Sequence, residues 1–372
     1  MHPTRNLLFF LFVALGASGG GAAEEPALTD VFVSGTEGYH TYRIPSVICT
    51  QRGTLLAFCE GRKSSNADQS PTDMMLRRSL DGGKTWTPMR VLVPGVPHAM
   101  MDPCPVEDRT TGKLFLVYDR WPYRQPGTES APRRPGLGLD SITAWVMATD
   151  DDGQTWSEPV DITATTKRPA WAGMAHGPGV GIQTRAGRLV IPCNHYENGR
   201  RCFVIYSDDH GRTWRLGGEV GPRMSESQVV ELADGRLMLN MRSYRGKHCR
   251  AAAFSSDGGL TWSEVVDVPE LVEPVCQASL LRYGAPGFQG KNRLLFCNPA
   301  DPKQRVRLTV RLSEDDGKTW PIAKTLYEGS SAYCCLTVLP DGTIGCLFER
   351  DSYRKITFAR WTLEWLTAGA KR

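Results

Sequence analysis

The side chains most conspicuous as potential chemistry are the aspartates of an eight-residue phrase, Ser79-Leu80-Asp81-Gly82-Gly83-Lys84-Thr85-Trp86. It returns at Thr149, Ser207, Ser255 and Ser313, ending in Trp156, Trp214, Trp262 and Trp320. Recurrent acidic turns suggest calcium, but each copy lacks the spaced run of acidic ligands and the closing Glu that a calcium loop requires. A structural role suits these residue types better: Asp and Ser/Thr bond turn backbone, the central Gly accepts a positive φ, and Trp buries a large face between sheets. Seven scattered His, with no His-Glu-x-x-His run and no Cys-x-x-Cys pair, give no metal or cofactor centre to expect. The remaining candidates are polar residues that strand packing does not require. They include Tyr42-Arg43-Ile44-Pro45 near the start and the stretch Arg305-Val306-Arg307-Leu308-Thr309-Val310-Arg311-Leu312-Ser313 that leads into the last copy.

A repeat at this spacing means a solenoid, propeller or array. From Asp30 onward, short runs of Val, Ile, Leu, Phe and Tyr alternate with Gly, Asp, Asn and Pro turns, and almost nothing sustains a helical period. Pieces such as Leu114–Tyr118, Arg188–Pro192 and Gly235–Leu239 precede the phrase, so each repeat supplies several strands. Further strands follow the last copy, at Leu336–Ile344 and Ile356–Trp361. The expectation is an all-β, six-bladed β-propeller whose last sheet is closed by the early strand around Val31-Phe32-Val33, which removes the open edge.

The chain has 372 residues, of which 41% are apolar and 23% charged, enough for a real core and no sign of disorder. Arg5, the apolar run Leu7–Leu15 and the small residues ending Gly21-Ala22-Ala23 read as a signal peptide over residues 1–23, too short to span a membrane. The expected mature domain, 24–372, is then a secreted or periplasmic monomer with no membrane span. A net charge of +4 from scattered basic residues argues against nucleic acid and agrees with an anionic small substrate. Eleven Cys, an odd number sitting mostly in strand-like runs, read as buried free thiols. One irregular segment, Arg120 to Leu139, is dense in Pro, Gly and Arg and reads as a lid, a binding loop or a plain solvated excursion.

Arg43-Ile44-Pro45, five Asp phrases and the arginine-rich approach to the last one together resemble the exo-α-sialidases of bacteria and animals, over about Val31 to Trp361. The resemblance implies three arginines on the substrate carboxylate, at the positions of Arg43, Arg250 and Arg305. Charge-assisted guanidinium forks suit a desolvated carboxylate, each bond contributing roughly 1.5–3 kcal/mol. It further implies Tyr333 as nucleophile with Glu226 as its base, and Asp68 as acid/base with Asp73 as rival. A tyrosine is an exception among glycosidases. The anomeric carbon of sialic acid bears a carboxylate, so an acidic nucleophile meets a repulsion of about 4 kcal/mol at roughly 4 Å and an effective dielectric near 20. A neutral phenol avoids this, and with an ordinary pKa near 10 it needs a base.

Supporting positions implied by the same resemblance are Glu349 beside the first arginine, Arg62 and Gln277 in the pocket, and Asp102 in the loop that meets the N-acyl arm. Asp102 stands where Asn is common, which exchanges an amide that donates and accepts for a carboxylate that only accepts. The implied activity is hydrolysis of terminal α-linked sialic acids on glycoproteins, glycolipids and oligosaccharides, with retention through a tyrosyl intermediate. Two other readings stay open: a non-catalytic propeller binding anionic glycans, and a trans-sialidase.

Overall fold

The computed structural model describes residues 24–68, 70–96, 98–122, 133–284 and 292–369. The expected signal peptide, 1–23, lies outside the described residues, as do 123–132 of the Arg120–Leu139 loop. What is described is all-β, with only two short helices, Thr163–Thr166 and Leu363–Thr367. No helix among the described residues is long and apolar enough to cross a membrane.

The strands are mostly continuous apolar runs rather than alternating ones, because both faces of each sheet are covered. Leu55–Arg62 and Leu189–His195 are buried at every position. Such runs need no polar face. One eight-stranded sheet extends from Thr41–Cys49 to Val160–Asp161, and a five-stranded one spans Met174–His176 to Arg215–Val220. A four-stranded meander holds Met224–Glu231, Leu237–Ser243, Cys249–Ser255 and Val266–Val272. The last sheet, seven-stranded, starts at Ser279–Arg282 and takes in the chain's first strand: Ala27–Val33 pairs antiparallel with Lys355–Trp361. The two ends of the chain are thereby joined, and Val31 and Phe32 share a core cluster with Val47 and Leu55 of the first sheet and Leu347 and Phe358 of the last.

The repeated phrase is a turn. In its first copy Asp81 Oδ1 accepts from Ser79 Oγ at 2.8 Å and from the Thr85 N–H at 2.9 Å, and Gly83 donates to Ser79 Oγ at 2.8 Å. Asp151, Asp209, Asp257 and Asp315 repeat the bonds to the hydroxyl before them and the Thr after them. Trp86 packs edge-on against Phe358, Trp156 against Phe58 and Trp214 against Phe115, which ties each of these turns to a strand far from it in sequence. Gly83, at φ +85°, leaves no room for a Cβ, which would lie 2.3 Å from the Phe358 ring.

All eleven cysteines are free thiols, ten of them buried. Three, Cys297, Cys334 and Cys346, bring their sulfurs within 4.8 Å of one another inside the last sheet's apolar core.

Candidate active site

Four strands break register at corresponding places: between Arg43 and Ser46, Met101 and Cys104, Met224 and Ser227, and Ser331 and Cys334. Arg43, Asp102, Glu226 and Tyr333 sit at these breaks. A bulge re-aims a side chain that regular pleating would bury or expose. Two of the breaks carry left-handed backbone, at Ile44 (φ 58°) and Asp102 (φ 54°). For β-branched Ile44 this costs on the order of 1–3 kcal/mol, strain of the kind that functional sites retain.

At the centre the Tyr333 hydroxyl donates to Glu226 Oε1. Arg242 Nη1 donates to Glu226 Oε2 at 2.6 Å and to the Tyr333 oxygen at 3.1 Å. The guanidinium carbons of Arg43 and Arg305 stand 5.4 and 5.7 Å from the centroid of the Tyr333 ring. Burial, and then the Glu226 charge, push the Tyr333 phenol well above its ordinary pKa, with Arg242 and Arg305 pulling the other way. The phenol is therefore neutral at physiological pH, with a carboxylate already in place to take its proton.

Glu349 fastens this centre from behind. Its Oε1 accepts from Arg43 Nε at 2.6 Å and from the Ile44 N–H at 2.9 Å, and its Oε2 accepts from the Tyr333 N–H at 3.0 Å. Arg305 donates to the Tyr353 hydroxyl at 3.1 Å, and Arg43 lies 4.2 Å over the Tyr353 ring, so this tyrosine spaces the two arginines.

A second group faces the first. Arg62, fully buried, donates through Nε and Nη2 to Glu60 Oε2 at 2.9 and 2.6 Å and through Nη1 to the Asn66 carbonyl. The same Nη1 pairs with Asp68 at 3.0 Å, whose side chain is 65% exposed. Arg62 thus anchors the loop that presents Asp68. The rival Asp73 is buried and spent on the Tyr39 hydroxyl at 2.6 Å, Lys63 at 2.9 Å and the Gly95 N–H at 2.7 Å. Asp102 is also buried, and burial followed by the charges of Glu60, Asp119, Glu226 and Asp68 holds its carboxyl well above the usual range.

Two expected substrate contacts are structural. Arg250 does not join Arg43 and Arg305. It is fully buried, and its hydrogen bonds all go to protein: Asn240 Oδ1 and O, Glu273 Oε2, and the carbonyls of Cys276 and Glu226. A guanidinium with five donors has none left. The arginine that does converge, Arg242, escaped the sequence reading. Its signal was faint, a lone cation at the end of Leu237-Met238-Leu239-Asn240-Met241, and the pairing of Met224 with Ser243 is what sets it across from Glu226. Gln277 is buried too. Its amide donates to the Pro178 and Cys334 carbonyls at 3.1 and 2.9 Å and accepts from the Cys334 N–H at 3.0 Å, so it holds the strand that carries Tyr333 rather than a ligand. Tyr353 was likewise missed, in a turn where Asp351, Ser352 and Tyr353 all have positive φ.

Residues 53–346 match the BNR repeat-like domain family. The Sialidase-2 of Mus musculus is 32% identical over 361 residues, covering 88% of this chain and 93% of that one. The chain belongs to the sialidase family. A sialidase of Micromonospora viridifaciens is 38% identical over 359 residues, 92% of this chain but 55% of the relative, so the chain spans about half the length of that protein. Among solved structures, the Hadza microbial sialidase Hz136 superposes with a TM-score of 0.83 at 35% identity, over 90% of this chain and 68% of that one.

Proposed function

We propose that this sialidase-family chain is a retaining exo-α-sialidase that releases terminal α-linked sialic acids from glycoproteins, glycolipids and oligosaccharides. The observation that carries the reading is the hydroxyl of Tyr333 on Glu226 with Arg43, Arg242 and Arg305 around the same ring. The three guanidiniums take the sugar carboxylate and fix the anomeric carbon over the phenol. Tyr333 oxygen attacks that carbon as Glu226 accepts the phenolic proton, and Asp68 gives a proton to the departing glycosidic oxygen. Asp68 then takes a proton from water, which attacks the same carbon and returns the bond pair to Tyr333 oxygen, reprotonated by Glu226. Two inversions leave the anomer unchanged.

The architecture behind it we infer to be six four-stranded blades. The eight-stranded sheet divides where Thr72–Ser79 and His98–Asp108 touch only through a parallel bridge at Thr72 and Ala99. The seven-stranded one divides within Ile322–Val338, whose first half pairs with Val306–Ser313 and second half with Ile344–Arg350. A single domain, 24–372, exported by a cleaved signal peptide 1–23 and acting as a monomer on sialylated glycans, completes the proposal.

The test is incubation with an α-sialoside of a fluorescent phenol, with and without lactose, while NMR follows the first anomer formed. Phenol release with α-sialic acid appearing first supports the proposal. No release favours a glycan-binding propeller, sialyl-lactose a trans-sialidase, and β-sialic acid first overturns retention.

A further inference from the structure

From Arg242 an alternating stack of cations and rings leads away from the centre. Arg242 lies 5.2 Å from the centroid of the Tyr244 ring, and Arg200 lies 4.8 Å from the same ring and 5.4 Å from Tyr196. Arg133 lies 3.9 Å over Tyr196 and 5.1 Å from Trp121. Arg223 adds a further cation, its Nη2 donating to the Tyr244 carbonyl at 2.5 Å. Of these four arginines only Arg242 has a carboxylate partner among the described residues, namely Glu226.

Stacking explains how Arg200 and Arg133 stay in place with no carboxylate partner among the described residues, since a cation over a ring is stabilised by the ring's quadrupole. It does not use their hydrogen-bonding capacity. A guanidinium laid on a ring spends its faces and keeps its in-plane N–H donors, which form a fork matched to a planar anion. Arg200 is half-buried and Arg133 exposed, so these donors are reachable from solvent. The stack is also continuous with the reactive centre, because its first member touches the Tyr333 oxygen.

We propose that Arg200 and Arg133 form a second anion subsite, which takes the carboxylate of a further sialic acid next to the one being cleaved and makes oligosialyl chains a preferred substrate class. The inference rests on the sialidase reading for its first sugar position. A neutral neighbouring sugar gains nothing from the stack, whereas a second carboxylate meets Arg200 and Arg133 side-chain donors that have no hydrogen-bond partner among the described residues.

The test compares kcat/KM on disialyl-lactose with that on sialyl-lactose, in the wild type and in Arg200→Gln and Arg133→Gln. The ratio between proteins cancels any preference for linkage. The expected result is a disialyl-to-monosialyl ratio that drops roughly tenfold in Arg200→Gln, as fits loss of one charge-assisted bond, and also drops in Arg133→Gln, with the monosialyl rate unchanged. Equal loss on both substrates, or no change in the ratio, overturns the subsite. A sialyl glycan sulfated on its penultimate sugar is the third arm: if it alone responds to the variants, the carboxylate assignment is wrong. Calorimetry on Tyr333→Phe, with and without Arg200→Gln, separates this from the parent reading. Failure of turnover with disialyl-lactose still bound more tightly than sialyl-lactose sinks the hydrolase, while equal binding of the two sinks the subsite.

Discussion

Arg43 and Tyr333 are held by the two oxygens of one carboxylate. Glu349 accepts from the Arg43 side chain through Oε1 and from the Tyr333 main chain through Oε2, so the proposed carboxylate-binding cation and the proposed nucleophile share a single anchor. Replacing it with Gln puts an NH2 opposite one of these donors. Glu349→Gln is therefore expected to lower kcat by about a hundredfold while destabilising the fold by about 3 kcal/mol, in line with breaking a buried ion pair. Thermal melts and kinetics on an α-sialoside check both, and a full kcat in a folded variant would show that the anchor does not position Tyr333.

Arg242 and Arg250, eight residues apart in the sequence, should fail in opposite ways. Arg242→Gln removes a donor that faces the Tyr333 hydroxyl, and kcat/KM is expected to fall roughly ten- to a hundredfold, with a smaller loss of melting temperature than for the fully buried Arg250 because the Arg242–Glu226 pair is partly open to solvent. Arg250→Ala strands Glu273 in the interior without its 2.8 Å partner. Loss of one member of a buried pair costs about 3–5 kcal/mol, so this variant should melt early or fail to accumulate. If Arg250→Ala folds normally and loses only substrate affinity, the assignment of the two arginines is reversed.

These two arginines also mark where sequence reading stops. The strand content and the five Asp turns were legible because each turn repeats its own local hydrogen bonds, from Ser79 to Asp81 and from Thr85 to Asp81, within a few residues. Tyr333, Glu226, Arg43 and Arg305 could be named because the resemblance to the exo-α-sialidases carries those roles onto these positions, and it carried Arg250 with them. Arg242 and Arg250 are both arginines in strands flanked by apolar residues, and what separates them is long-range: Glu273 and the Cys276 carbonyl reach one and not the other. The bulges at Arg43, Glu226 and Tyr333 were equally out of reach, since no hydrophobic pattern encodes one extra residue in a ladder.

Asp102 offers a prediction in which the sign of the pH dependence decides. Its folded pKa is raised by burial and by four neighbouring carboxylates, so the folded state holds its proton to higher pH than the unfolded chain, which releases it above the ordinary value of 3.8. Its contribution to stability is fully present below that pH and is lost as pH rises toward the folded value. Asp102→Asn, which donates without titrating, should match the wild type near pH 3.8 and become progressively more stable than it at higher pH. Denaturant melts across pH 4 to 8 measure the difference; a constant gap would mean that Asp102 is ionised in the fold.

The Asp turns titrate in the opposite sense. The Thr85 N–H and hydroxyl hold Asp81 at about 2, below its ordinary value of 3.8. Asp151, Asp209 and Asp257, where slight burial is outweighed by the matching Thr and hydroxyl bonds, also lie at about 2. Stability from these carboxylates is present above the unfolded value and drains away as pH falls from about 4 to about 2. Four turns losing their central acceptor over one window should give a cooperative acid transition there, and replacing a single Asp with Asn should shallow the slope of stability against pH by about one proton's share. These aspartates bond within their own turns and none contacts Tyr333, so activity per folded molecule at neutral pH should not change. An Asp81→Asn protein that keeps the wild-type acid slope would show that the turn's bonds do not depend on the charge of its aspartate.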